Sequence, residues 1–198
     1  MKNLYKSNLL KLLPCALLGG VVLGTTSLAQ AADGTISFNG ELIAASCTVT
    51  GGAGATGSDG KVTVDMGKVS MDSLGTSGSV GVATQVNLKV DCASGSETLK
   101  TVKVRFDPQS GSGVDDSNPS LLKLSGEKAA KGVAIAIIDG DGKTLNLSGN
   151  DTISGELVVT EGAATADLNM RASYVKNGSS EPAAGTGSAT LPFTLTYE

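Results

Sequence analysis

The 198-residue chain contains no histidine, and phenylalanine, tyrosine and tryptophan together make up only 3% of it. Without histidine there is no Ser/His or Cys/His nucleophile pair, and nearly every common zinc site is excluded. No CxxC redox centre occurs among the three cysteines. No run of lysine or arginine occurs either. With aromatics this scarce and a net charge of only −4, nothing points to a nucleic-acid partner. Helical periodicity nowhere exceeds two turns beyond the first thirty or so residues. There is no internal repeat and no linker that would separate two domains. What the chain has in abundance is small residues, 27 glycines among them, at a low charge density of 17%. Such a surface suits packing against other protein.

The N-terminus reads as a secretory signal peptide spanning residues 1–31. Lys2, Lys6 and Lys11 supply the positive leader, and Leu12 to Leu23 form an apolar run broken by Pro14 and Gly19-Gly20. Ala29-Gln30-Ala31 then fits small-x-small cleavage. The apolar run is too short to span a bilayer comfortably. Cys15 follows Pro14 and leucines rather than the small residues of a lipid-attachment box. The expected mature chain therefore runs from about Ala32 to Glu198, long enough for one domain with one core. It retains Cys47 and Cys92, and two cysteines in an exported chain read as one disulfide.

The mature sequence is written in period two. Gly34, Ile36, Phe38, Gly40 and Leu42 share one face of a first strand, opposite Thr35, Ser37, Asn39 and Glu41. Alternating or apolar runs recur at 45–50, 61–66, 82–92, 101–106, 121–124, 132–138, 143–147, 156–160, 166–175 and 189–197. Glycine-rich or polar loops separate them, including 51–60, 70–81, 108–118 and 177–188. Short strands with turn signals every ten or so residues argue for an all-β sandwich. Residues 132–138 (GVAIAII) read as a fully buried strand, with Asp139-Gly140-Asp141-Gly142 turning into Lys143–Leu147 as a hairpin.

The acidic pairs do not assemble an active site. Asp139-x-Asp141 begins like a calcium loop, but no glutamate follows at the ligating position, so a solvated turn is expected. Asp115-Asp116 is expected on a solvated face. Asn146, Asn150 and Asn177 head glycosylation-type triplets by spacing alone.

The C-terminal block alternates as strictly as the N-terminal one: Leu191, Phe193, Leu195 and Tyr197 on one face, Thr190, Thr194, Thr196 and Glu198 on the other. An apolar strand thus stands at each end of the mature chain. Four features in order resemble the pilins of chaperone–usher fimbriae, the type 1 major-pilin group in particular. They are the glycine-containing extension before Cys47; Cys92 after VNLKV; the segment GVAIAIIDGDGKTLNL; and the final block GTGSATLPFTLTYE. In that block Tyr197 is second from last and Gly185 fourteenth from the end.

The resemblance implies an incomplete immunoglobulin-like sandwich that lacks its last strand. It implies residues 32–44 as a donor-strand extension and 45–198 as the pilin domain. A groove is expected beside Thr190–Tyr197, with Gly185, Leu191, Phe193, Leu195 and Tyr197 as acceptor residues. A periplasmic chaperone would lend this groove a strand. At the outer-membrane usher, Gly34, Ile36, Phe38, Gly40 and Leu42 of the next copy or a sibling pilin would replace it. The implied role is a structural subunit of a surface fimbria that supports adhesion, with no enzymatic activity and no cofactor or metal. Contact with a host receptor would be indirect. The alternatives are a minor, tip-proximal pilin that binds a host ligand through exposed loops, a periplasmic sandwich enzyme, and a monomer whose extension fills its own groove.

Overall fold

Alternation of apolar and polar residues sets up short strands along the chain, separated by turns and loops. The computed structural model describes residues 47–76, 79–93, 98–178 and 181–198. Within them lie thirteen strands and two single-turn 3-10 helices, Met71–Ser73 and Pro108–Ser110, and no α-helix. In chain order the strands are β1 (Cys47–Gly51), β2 (Ala55–Ser58), β3 (Lys61–Val64), β4 (Gly75–Thr76), β5 (Ala83–Gln85), β6 (Leu88–Cys92) and β7 (Thr101–Phe106). They continue with β8 (Val133–Asp139), β9 (Thr152–Glu156), β10 (Val158–Thr160), β11 (Ala163–Leu168), β12 (Met170–Lys176) and β13 (Phe193–Tyr197).

These strands form four sheets. One has the order β1-β6-β11-β10 and a second β13-β7-β9; in a third, β12 takes β4, β5 and β8 as neighbours, and β2-β3 is a separate hairpin. All three larger sheets contribute to one core, with Val49, Leu88 and Val90 from the first, Val102, Val104 and Ile153 from the second, and Ile135, Ile137 and Met170 from the third. The apolar run at β8 is explained by burial on both faces. Val133, Ile135 and Ile137 enter this core, while Ala134, Ala136 and Ile138 meet Leu121 and Val175 on the other side of the sheet. A strand covered on both faces has no reason to alternate with polar residues. The expected disulfide is present: Cys47 and Cys92 are bonded and stand opposite each other in the β1–β6 ladder.

Several strands differ from the sequence reading. Residues 82–92 read as one strand, but β5 pairs with β12 and β6 pairs with β1 and β11. The chain changes sheets at Val86-Asn87, whose amides donate to the carbonyls of Met170 and Ala53. Residues 156–160 and 166–175 likewise fall across sheet changes, at Leu157 and Asn169. The glycine-rich stretch 51–60 is not all loop, since β2 lies in it. Gly54, Gly57 and Gly60 there adopt positive φ, and a β-carbon on Gly54 would collide with the Gln85 backbone. Residues 121–124 and 143–147 make isolated bridges rather than strands. Asp115 is a correction of a different kind. It is buried, not solvated: its carboxylate accepts from the amides of Ser117 and Asn118 and from Asn177 Nδ2, at 3.0, 3.1 and 2.9 Å. Asp116 beside it is exposed and pairs with Lys123 at 2.6 Å.

Candidate functional site

Between residues 186 and 192 the backbone–backbone bonds of the chain fall along one side only. Thr186 donates to Lys128 O and accepts from Ala130 N; Ser188 O accepts from Ser125 N; Thr190 O accepts from Ser112 N; and Pro192 O accepts from Asp107 N. Ser112 Oγ also accepts from Thr190 N at 2.8 Å. Every one of these bonds falls on an even-numbered residue. In an extended chain the N–H and C=O of successive residues point to opposite sides. Gly187, Ala189 and Leu191 therefore turn their backbone the other way, and Ala189 and Leu191 have no backbone partner there among the described residues. The parity carries on through β13. Glu198 and Thr101 exchange bonds of 2.9 Å in both directions, so the even residues face β7 and the odd ones face outward. No described strand lies on that outer side of β13. From Gly187 to Tyr197 this makes one continuous open edge, roughly 33 Å long at about 3.3 Å per residue.

Facing residues 186–193 is β3 with its continuation to Gly67. β3 has β2 on one side and no described strand on the other. The space between is a groove of about 700 Å³. Its floor is apolar, with Leu88, Phe106, Leu122, Ile135, Ile137 and Met170 at the base. Val62, Val64 and Met66 come from one wall, and Ala189, Leu191 and Phe193 from the other. Asp65 is the only charged residue among those lining it. Among the described residues, the groove lining holds hydroxyls but no acid–base pair to activate them, and no group of three or more residues that could hold a metal ion. Chemically it offers unpaired main-chain donors and acceptors over a hydrophobic trough, the two things that an extended apolar segment needs.

Tyr174, from β12, stands at one end of the groove. Its hydroxyl donates to Gly187 O at 2.7 Å. Burial first, and then the negative charge of Asp65, push its pKa above the ordinary phenol value, so it stays a proton donor throughout the neutral range. Beyond it lies a second cavity of about 220 Å³, whose lining includes Met71, Leu74, Leu124, Val133 and Gly185. Gly185 and Gly187 are required by close approach: a β-carbon at Gly185 would overlap the backbone of 128–130, and one at Gly187 would overlap the Tyr174 phenol.

Of the acceptor residues read from the sequence, Leu191 and Phe193 line the groove and Gly185 lines the smaller cavity. Leu195 and Tyr197 do not line either. They lie half-buried on β13, packed against the main core, and burial raises the Tyr197 pKa. The donor residues Gly34, Ile36, Phe38, Gly40 and Leu42 lie outside the described residues. Sequence reasoning missed the opposite wall and Tyr174. The alternation of Val62, Val64 and Met66 was a legible strand, but nothing in it says that its outer edge is open. A single tyrosine in a strand carries no signal of a cap.

The family model described as "Fimbrial protein" matches residues 36–198. The chain is 32% identical over 196 residues to a type-1 fimbrial protein subunit of Serratia marcescens, covering 94% of this chain and 98% of that one. It is 28% identical over 189 residues to the type-1 fimbrial protein A chain of Escherichia coli K12, covering 92% and 96%. Among solved structures, the P pilus rod subunit PapA superposes with a TM-score of 0.49 at 21% identity, covering 83% of this chain and 99% of that chain. The chain belongs to the fimbrial protein family: it is a structural subunit of a cell-surface pilus, not an enzyme.

Proposed function

We propose that the subunit polymerises head to tail, residues 34–42 of one copy entering the groove of the next and completing its sandwich as an added strand. The observation that carries this is the open edge from Gly187 to Tyr197 above an apolar groove. An edge of that length is an aggregation hazard unless something is meant to cover it. Nine residues of extended chain span roughly 30 Å, close to the length of the edge. Ile36, Phe38 and Leu42 would fill the trough at about 1.5–3 kcal/mol each, and the ladder would be main-chain. Gly40 falls where the strand must approach the floor without a side chain.

The same groove must be protected before assembly. A periplasmic chaperone strand serves that purpose, and handover occurs at the outer-membrane usher. Export by a cleaved segment 1–31 precedes both. The deciding experiment is deletion of Gly34–Leu42, with Gly40→Trp as the point variant. Both subunits are expected to accumulate with the chaperone and to be missing from fimbriae. Normal fimbriae built from the deletion variant would refute donor-strand assembly.

A further inference from the structure

We propose that the Tyr174 hydroxyl terminates the open edge and thereby fixes the register of the strand that enters the groove. The inference rests on the donor-strand reading above. Strict alternation protects poorly against one kind of error. A slip of one residue turns Ile36, Phe38 and Leu42 out to solvent and is heavily penalised, but a slip of two keeps every side chain on its proper face. Gly40 opposes that slip, because it would bring Phe38 or Leu42 to the point where no side chain fits; a stop at one end of the groove adds a main-chain barrier to it.

Tyr174 has the geometry of that stop. The backbone positions facing the groove are Gly187, Ala189 and Leu191, and of these only the Gly187 carbonyl already has a partner, the phenol at 2.7 Å. The tyrosine lines both the groove and the smaller cavity, so its ring stands between them. The glycine at 187 lets the ring pack directly on the α-carbon. An incoming strand that reaches Ala189 finds a free N–H and C=O. One rung further it meets an acceptor in use.

The test uses assembled fimbriae. Ala189→Cys is combined in turn with Ile36→Cys, Phe38→Cys, Gly40→Cys or Leu42→Cys, and intersubunit disulfides are read as ladders on non-reducing gels. One pairing should dominate. Adding Tyr174→Phe keeps the ring and frees the carbonyl. The pairing displaced by two residues should then rise roughly five-fold relative to the dominant one, the size of one neutral hydrogen bond. Ile153→Val, a buried change on β9 away from the groove, is the control for general loosening, and it should leave the pattern unchanged. An unchanged pattern in Tyr174→Phe, an equal shift in Ile153→Val, or loss of fimbriae in Tyr174→Phe alone would each overturn the cap while leaving donor-strand assembly standing. Fimbriae that cross-link at none of the four pairings would overturn donor-strand assembly, and the cap with it.

Discussion

Asp115 shows how a carboxylate that looks decorative in sequence becomes structural. It is only 7% exposed, and its two oxygens hold two loop amides and the Asn177 side chain. Asp115→Ala would leave these donors unsatisfied in a buried site, a loss of about 1–3 kcal/mol. It should appear as a lower midpoint in denaturant unfolding at unchanged slope. The Asp139 carboxylate is also committed, accepting from the amides of Asp141 and Lys143 at 3.0 and 2.8 Å within its turn. The disulfide is the third residue-scale term. With Cys47 and Cys92 separated by 45 positions, chain-entropy arithmetic gives about 4 kcal/mol for the cross-link. Replacing both cysteines by serine should lower the unfolding free energy of the purified subunit by that order. A change under about 1 kcal/mol would mean that the β1–β6 ladder holds without it.

At the scale of elements, the strip 186–192 forms one wall of the proposed acceptor groove although it belongs to no sheet. From Thr186 to Pro192 it is tied to segments 107–130 through even residues, and the main chain of Ala189 and Leu191 stays open. Gly187→Ala tests this strip as a unit. The added methyl collides with the Tyr174 ring, which is held within β12, so the strip must move. Overpacking of this kind costs about 1–3 kcal/mol. The expected outcome is a subunit that folds but enters fimbriae poorly, measured by the ratio of surface to periplasmic protein. The same element marks the limit of what the sequence reveals. Periodicity finds apolar and polar faces, so it locates β1, β3, β7 and β8 and the alternation of Leu191 to Tyr197. It is blind to which sheet a strand joins, because a chain that crosses between sheets at Val86-Asn87 or Asn169 keeps its alternation. It is blind as well to whether the backbone edge of a strand is paired, since N–H and C=O are identical at every residue. One wall of the groove was therefore legible and the other was not. The closing residue, Tyr174, emerges only from the contact that its hydroxyl makes.

At the scale of the whole molecule, the proposed assembly makes a donor segment and an acceptor groove two different surfaces of one chain. A contact between unlike surfaces is heterologous and grows a filament unless its rotation closes a ring. Each surface can be disabled separately. A subunit lacking Gly34–Leu42 retains only its groove. A subunit carrying Ala189→Trp, which fills the groove from its wall, retains only its donor strand. Neither should polymerise alone. Expressed together, they can pair once, the donor of the second in the groove of the first, and after that no donor and no groove is left. The expected product is a two-subunit species on unboiled SDS gels with no higher ladder. The register of the pair can be checked by a disulfide between Leu191→Cys on the subunit that keeps the groove and Phe38→Cys on the subunit that keeps the donor strand. A ladder extending beyond two subunits would show that copies associate through some other surface, and that the open edge is not what joins them.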